Sequence, residues 1–274
     1  MNKLTSIGRP IDLNYPTNRA IAALTIVVMA GGTMFALLSG GGGVESVRQG
    51  TGAGFAVFLA WALCRELDPD HNPSAFVAAG LALGGLFLWD LPHFGALLWL
   101  LLVLRVVNQT MGLPATVLDA SAVLGLGGWL AVQGNWGYGA ITALALFVDS
   151  QLSPPNRKQV FFAGLGIVVT VVVVIVAGEL RWGETPSLVA GLIGLGMVVS
   201  FVPVVLRARR LDSVGDATGE PLEPLRVQAG QGLALLAGVE VAFWGGEAGL
   251  VSLGPLWAAV LGASLYWVYT VIKR

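Results

Sequence analysis

The chain has 274 residues, 55% of them hydrophobic and only 11% charged, with a net charge of −1 and a mean hydropathy of +0.78. Soluble domains carry about 25% charged residues, so too little polar surface is left here to face water, and an all-α polytopic integral membrane bundle is expected. The near-zero charge offers no handle for nucleic acid, and the single Cys64 leaves no partner for an intrachain disulfide or a multi-cysteine zinc site.

Residues 1–18 are polar and basic, and no short apolar core with a small-residue cleavage site follows them. The first apolar run is therefore expected to stay as a signal anchor in the cell (inner) membrane. A helical span needs roughly 20 apolar residues. Candidate spans fall at 19–39, 50–64, 75–89, 93–107, 117–133, 137–151, 160–178, 187–206, 228–245 and 252–271. That makes about ten transmembrane helices, although 50–64, 93–107 and 137–151 are short enough to be tilted or re-entrant. The expected organisation is a cytoplasmic segment 1–18, a membrane domain of about eight helices over 19–206, a flexible cytoplasmic linker 207–227 and a C-terminal helical hairpin 228–274.

Charge sorting supports this count. With the N-terminus inside, 13 of the 15 basic residues fall on inner segments, and only Arg48 and Arg181 fall outside. Inner loops do collect Lys and Arg, and miscounting one internal span would scramble the pattern. Both termini are thus expected in the cytoplasm. The outer turns are brief and aromatic, as in Trp89–His93, Gln133–Tyr138, Arg181-Trp182-Gly183 and Trp244-Gly245-Gly246, consistent with Trp and Tyr at headgroup level. The hairpins around Leu83–Arg105 and Leu126–Asp149 resemble each other at low identity. Gly80-x-x-x-Gly84 and Gly191-x-x-Gly194-x-Gly196 are expected to let helix backbones approach closely. The run Val168–Val176, flanked by Gly164 and Gly178, is expected to be a lipid-facing helix rather than a strand.

The densest chemistry is Arg65–Ser74, with Glu66, Asp68, Asp70 and His71 inside six residues. Asp-x-Asp suits Mg²⁺, which favours carboxylates plus substrate phosphate. Asp119, Asp149 and Asn108 are further inner-face groups that can converge on it, with Arg105 or Arg65 to hold a phosphate. The structural alternative is a turn broken by Pro69 and Pro73, in which Asp70, Asn72 or Ser74 caps a helix. On that alternative Asp119 caps the fifth span and Asp149 pairs with Arg105. His93, beside Asp90 in an outer turn, lies across the membrane from His71. Glu240 is the one carboxylate clearly inside an apolar run. Such a group is a functional candidate, unless it sits close enough to the outer edge to reach water.

Scarce polar residues inside the spans argue against a hydrophilic cargo. The sequence leans towards a transporter-like protein for an apolar or amphiphilic solute or a lipid, with a midplane cavity touching Glu240. The first alternative is a membrane enzyme acting on a lipid (di)phosphate through a Mg²⁺-binding carboxylate cluster. The second is a non-catalytic scaffold or accessory subunit. The bilayer itself is the one expected partner common to all three.

Overall fold

The structure, a computed structural model, describes residues 4–9, 11–177 and 183–273. Lys3, Gly178, Arg181, Trp182 and Arg274, which enter the charge and turn patterns, lie outside those residues. The described chain is built from ten helices: α1 (Pro16–Leu38), α2 (Gly43–Leu67), α3 (Asn72–Gly85), α4 (Phe94–Asn108), α5 (Val117–Val132), α6 (Gly137–Gln151), α7 (Gln159–Ala177), α8 (Leu188–Arg207), α9 (Pro224–Ser252) and α10 (Gly254–Ile272). Among the described residues β pairing is confined to two isolated bridges. Pro16, Pro73, Pro224 and Pro255 each stand in the first turn of a helix. There the missing N–H costs nothing and the fixed φ is already helical.

Five helices, α1, α7, α8, α9 and α10, are long and apolar enough to cross a membrane. The candidate span 50–64 belongs to a longer helix, α2, whose 25 residues carry Glu45 and Arg48 near one end and Arg65 and Glu66 near the other. Helices α3 to α6 have only 14 to 16 residues. At about 1.5 Å per residue each is some 21–24 Å long, short of a hydrocarbon core about 30 Å thick.

Helices α2, α4, α6, α9 and α10 make the centre of the bundle, with α1 packed on α2, α7 on α5 and α6, and α8 on α9 and α10. Leu63, Leu67, Leu97, Leu100, Leu104, Leu146 and Leu256 are fully buried there. Trp99 crosses from α4 to α6, donating Nε1–H to Thr142 Oγ1 at 2.8 Å. The valine run is helical as expected, and Val168, Val171, Val172 and Ile175 point outward.

The glycines expected to mediate close packing do not do so. A Cβ at Gly80, Gly84, Gly191 or Gly196 would meet nothing within 4 Å, and at Gly194 only Leu250 at 3.7 Å. Close approach is instead made where α1 crosses α2. There Gly50 lies so near Thr33 and the Met29 carbonyl that no Cβ fits. A stripe of small residues shows where backbones can approach, but not which stripe the fold uses.

At the far end of α9 the helix is interrupted at Gly246, whose φ of +58° is readily adopted only by glycine. The Trp244 carbonyl freed by this break accepts the Glu184 amide at 3.1 Å. The stretch expected as a flexible linker, between α8 and α9, is hydrogen-bonded to itself and to the bundle. It forms a turn closed by Gly215 N–H to Glu220 O at 2.8 Å and by Leu222 N–H to Ser213 O at 3.0 Å. It then ties to the α4–α5 connection through Asp216 N–H to Thr110 O at 3.1 Å.

Candidate functional site

Residues Leu4–Arg9 and the connections α2–α3, α4–α5, α6–α7 and α8–α9 meet at one face of the bundle, called here the terminal face. The charged residues singled out by the sequence gather there. They are divided among separate partnerships rather than converging on one point.

Glu66, fully buried at the end of α2, accepts from Arg105 Nε at 3.3 Å and has Arg9 Nη1 at 3.8 Å. Its backbone carbonyl accepts Asn108 Nδ2–H at 2.9 Å. Asp68 takes Arg207 Nη2 on both oxygens, at 3.0 and 2.9 Å, and His71 Nδ1 at 2.9 Å. Arg207, at the end of α8, is thereby spent on Asp68. Asp70 accepts the backbone amides of Asp212 and Ser213, the latter at 2.9 Å, and so pins the segment after α8. Arg65 bonds Asn72, which ties the end of α2 to the start of α3.

Asp149 pairs not with Arg105 but with Arg226, at 2.7 Å, and also accepts from Gln109 Nε2 at 3.0 Å. All five guanidinium N–H directions of Arg226 are satisfied. Besides Asp149 they reach the carbonyls of Val107, Leu152, Ser153 and Pro154 at 2.7–3.0 Å. A single side chain thereby ties off carbonyls at the ends of α4 and α6, which have no helical partner of their own.

Asp119 is the capping residue that its position suggested. Thr116 Oγ1 accepts Asp119 N–H at 3.2 Å and Asp119 Oδ2 accepts Thr116 N–H at 2.9 Å, a reciprocal box at the start of α5. The same carboxylate accepts from Thr5 Oγ1 at 2.5 Å, Ser6 N at 2.9 Å and Ser6 Oγ at 2.8 Å, holding the N-terminal segment across the face. Asp119→Ala is expected to cost about 1–2 kcal/mol through the lost cap and orphaned donors. It should also free residues 4–9 for proteolysis, measurable as early cleavage there while the bundle stays intact.

The five carboxylates thus answer to different partners, and three of them to different arginines. Among the described residues no group of three or more His, Cys, Asp or Glu is placed to hold a metal ion. The Asp68/Asp70 pair proposed for Mg²⁺ is committed to Arg207, His71 and two backbone amides.

Glu240 lies at the opposite, far face. Its Oε2 accepts Asn135 Nδ2–H at 3.3 Å from the α5–α6 turn, and the bare backbone of Gly137 makes room for the carboxylate. One turn further along α9, Trp244 Nε1–H donates to Gly134 O at 3.0 Å and the ring meets Trp136 edge to face at 5.6 Å. Glu240 therefore braces a turn at the edge of the bundle, the edge placement that the sequence left open beside the wall of a central cavity.

A large concavity lies elsewhere. A groove of about 670 Å³, open along its length, runs between α1, α2 and the chain leaving α3. Val27, Val28, Gly31 and Phe35 form one wall, Ala53 part of the floor, and Leu83, Leu86 and Phe87 the other wall. Arg48, Gln49, Trp89 and Asp90 stand at its far-face end. Sequence reading missed it because no charged motif marks it. The available signal was a run of small residues, Gly31, Gly32 and Ala53, facing bulky ones. Compared with known protein families, curated proteins and solved structures, the chain matches none.

Proposed function

We propose that this chain is a multi-pass protein of the cell membrane, with ten crossings, the short helices α3 to α6 spanning a locally thinned bilayer, and both ends in the cytoplasm, that binds an amphiphile in the lateral groove as a transporter-like protein does. The groove carries this reading. Its volume lies within the roughly 300–1,000 Å³ of small-molecule sites. Its walls are aliphatic and aromatic, and its polar residues are confined to one end, which matches a solute with one apolar and one polar part. With the terminal face inside, as the basic residues favour, that polar end sits at the outer headgroup level.

The site is thus lateral rather than central, and Glu240 is not part of it. Glu240→Gln keeps an acceptor for Asn135 and is expected to leave amphiphile binding unchanged. Reduced binding in that variant would return the site to α9. No observation favours the lipid-phosphate enzyme, since of the arginines it would need Arg105 is paired with Glu66 and Arg65 is bonded to Asn72. The accessory-subunit reading draws on the uncovered small-residue faces of α3 and α8; it is overturned if the purified protein runs as a monomer with no co-purifying protein.

The direct test fills the groove. Gly31 has open space beside it, so Gly31→Leu inserts a side chain without displacing the fold. Replacing a mid-helix glycine also removes about 0.8–1 kcal/mol of propensity penalty, so the variant should be no less stable. Native mass spectrometry of protein extracted in mild detergent is expected to show a bound amphiphile on the wild type and none on Gly31→Leu. Equal retention on both would overturn the groove as the site.

A further inference from the structure

An alkyl chain in a bilayer already has an apolar environment, so entering an apolar groove gives it little advantage. The walls therefore set shape, and discrimination between amphiphiles falls to the polar end.

At that end Glu45 receives Arg48 Nε at 2.8 Å and Nη2 at 2.6 Å, and also Gln49 Nε2 at 3.1 Å. The groove's one cation and its one amide are thus turned to the same carboxylate, and together the three are neutral. Asp90, from the α3–α4 connection, has no hydrogen bond or ion pair through its side chain among the described residues, and it sets the charge of the rim. Phe35, Phe87 and Trp89 line the groove alongside it, each more than half exposed. Ring faces attract cations through their quadrupole, Trp most strongly. The rest of the far face agrees in sign: Glu45, Asp90, Glu184, Glu240 and Glu247 face Arg48 alone among the described charged residues there.

We infer that the groove selects amphiphiles with a cationic ammonium head, the nitrogen held by Asp90 and Trp89 and one alkyl chain lying along Gly31 and Ala53. This rests on the groove being the binding site, as proposed above. A sulfate or phosphate head finds no unpaired cation at the rim, because Arg48 is held by Glu45. A zwitterionic phosphocholine brings both an attractive and an unmatched group, so it ranks between the two.

The test compares chain-matched probes on the full-length protein in maltoside micelles: tetradecyltrimethylammonium, tetradecylphosphocholine and tetradecyl sulfate, counted as adducts by native mass spectrometry. The expected order is ammonium, then phosphocholine, then sulfate. Asp90→Asn should lower ammonium binding about fivefold, the upper end for an exposed ion pair, and leave sulfate binding unchanged. Asp90→Lys should reverse the order. Both changes lie on an exposed turn, and an unaltered elution volume verifies that each variant is folded. Equal binding of ammonium and sulfate by the wild type, or no effect of Asp90→Asn, overturns the headgroup inference while adducts abolished by Gly31→Leu still uphold the groove. If no probe binds the wild type better than Gly31→Leu, both proposals fall together.

Discussion

Replacing Arg226 by Met is expected to destabilise the protein by about 3–5 kcal/mol, the cost of removing one partner from a buried ion pair. The magnitude follows from what the guanidinium does. It neutralises Asp149, which is fully buried, and serves four carbonyls, one in the last turn of α4 and three just past the end of α6. Arg226→Lys retains the charge but offers three donors in place of five, so it should recover only part of the loss. Asp149→Asn should cost less than Arg226→Met, because the arginine keeps its carbonyl partners. The informative variant is the double one. Buried ion pairs can often be replaced by apolar residues with little loss, yet Asp149→Leu with Arg226→Met should stay nearly as unstable as Arg226→Met alone, because the carbonyls remain without donors. Thermal unfolding in detergent reads all four. A double variant as stable as the wild type would show that the pair, and not the carbonyl ties, is what matters.

Gly50→Val should detach α1 from the bundle. A side chain at Gly50 would collide with the backbone amide of Thr33 and the carbonyl of Met29, which no rotamer change relieves, and the partner surface at Gly32 is also close, with its Cβ position 3.1 Å from Gly50 Cα. Overpacking in a core costs about 1–3 kcal/mol when neighbours can shift; two helix backbones cannot shift without separating. Because α1 packs on α2 and little else, the response should be local. Hydrogen exchange of residues 16–38 should accelerate while α4, α6 and α9 stay protected, and amphiphile binding should vanish with the α1 wall. Uniform loss of protection throughout the chain would mean that α1 is integral to the core. Gly31→Leu, one residue from Gly32 but facing open space, should show neither effect on exchange, so the two variants separate groove filling from helix detachment.

The helical class and the helix positions were legible because they rest on long apolar runs and on charge sorting, signals averaged over many residues. Asp119 as a cap was legible for a local reason: Thr116 three residues earlier completes the box. Pairings between distant segments were not. Asp149 was expected to pair with Arg105, and nothing in the local pattern points to Arg226. One physical hint existed. Arg226 lies in the first turn of a helix, where the dipole disfavours a positive charge, and an arginine kept there calls for a specific acceptor. The carboxylates Glu66, Asp68, Asp119 and Asp149 read as a cluster because they share a face. A shared face is a membrane-topology property, whereas convergence within a few ångströms depends on side-chain directions that charge sorting does not encode. Glu240 misled for a related reason. Hydropathy places it inside an apolar run, but the break at Gly246 ends the straight part of α9 only six residues later, so the carboxylate stands beside the α5–α6 turn. The groove was invisible to motif reading because its residues are ordinary, and only their juxtaposition makes a cavity.

Cysteine accessibility tests most directly whether the chain alternates across the membrane with its terminal face inside. Cys64 is fully buried and its thiol lies 3.5 Å from Ser74 Oγ, so the wild type provides an unreactive background. Single cysteines at Ser39 and Gln133 on the far face, and at Lys158 and Ala217 on the terminal face, are all at exposed positions. A membrane-impermeant maleimide added to intact cells should label Ser39→Cys and Gln133→Cys, and should reach Lys158→Cys and Ala217→Cys only after permeabilisation. Labelling of Ser39→Cys and Lys158→Cys from the same side of an intact membrane would contradict the ten-crossing arrangement, and with it the placement of the groove in the outer leaflet.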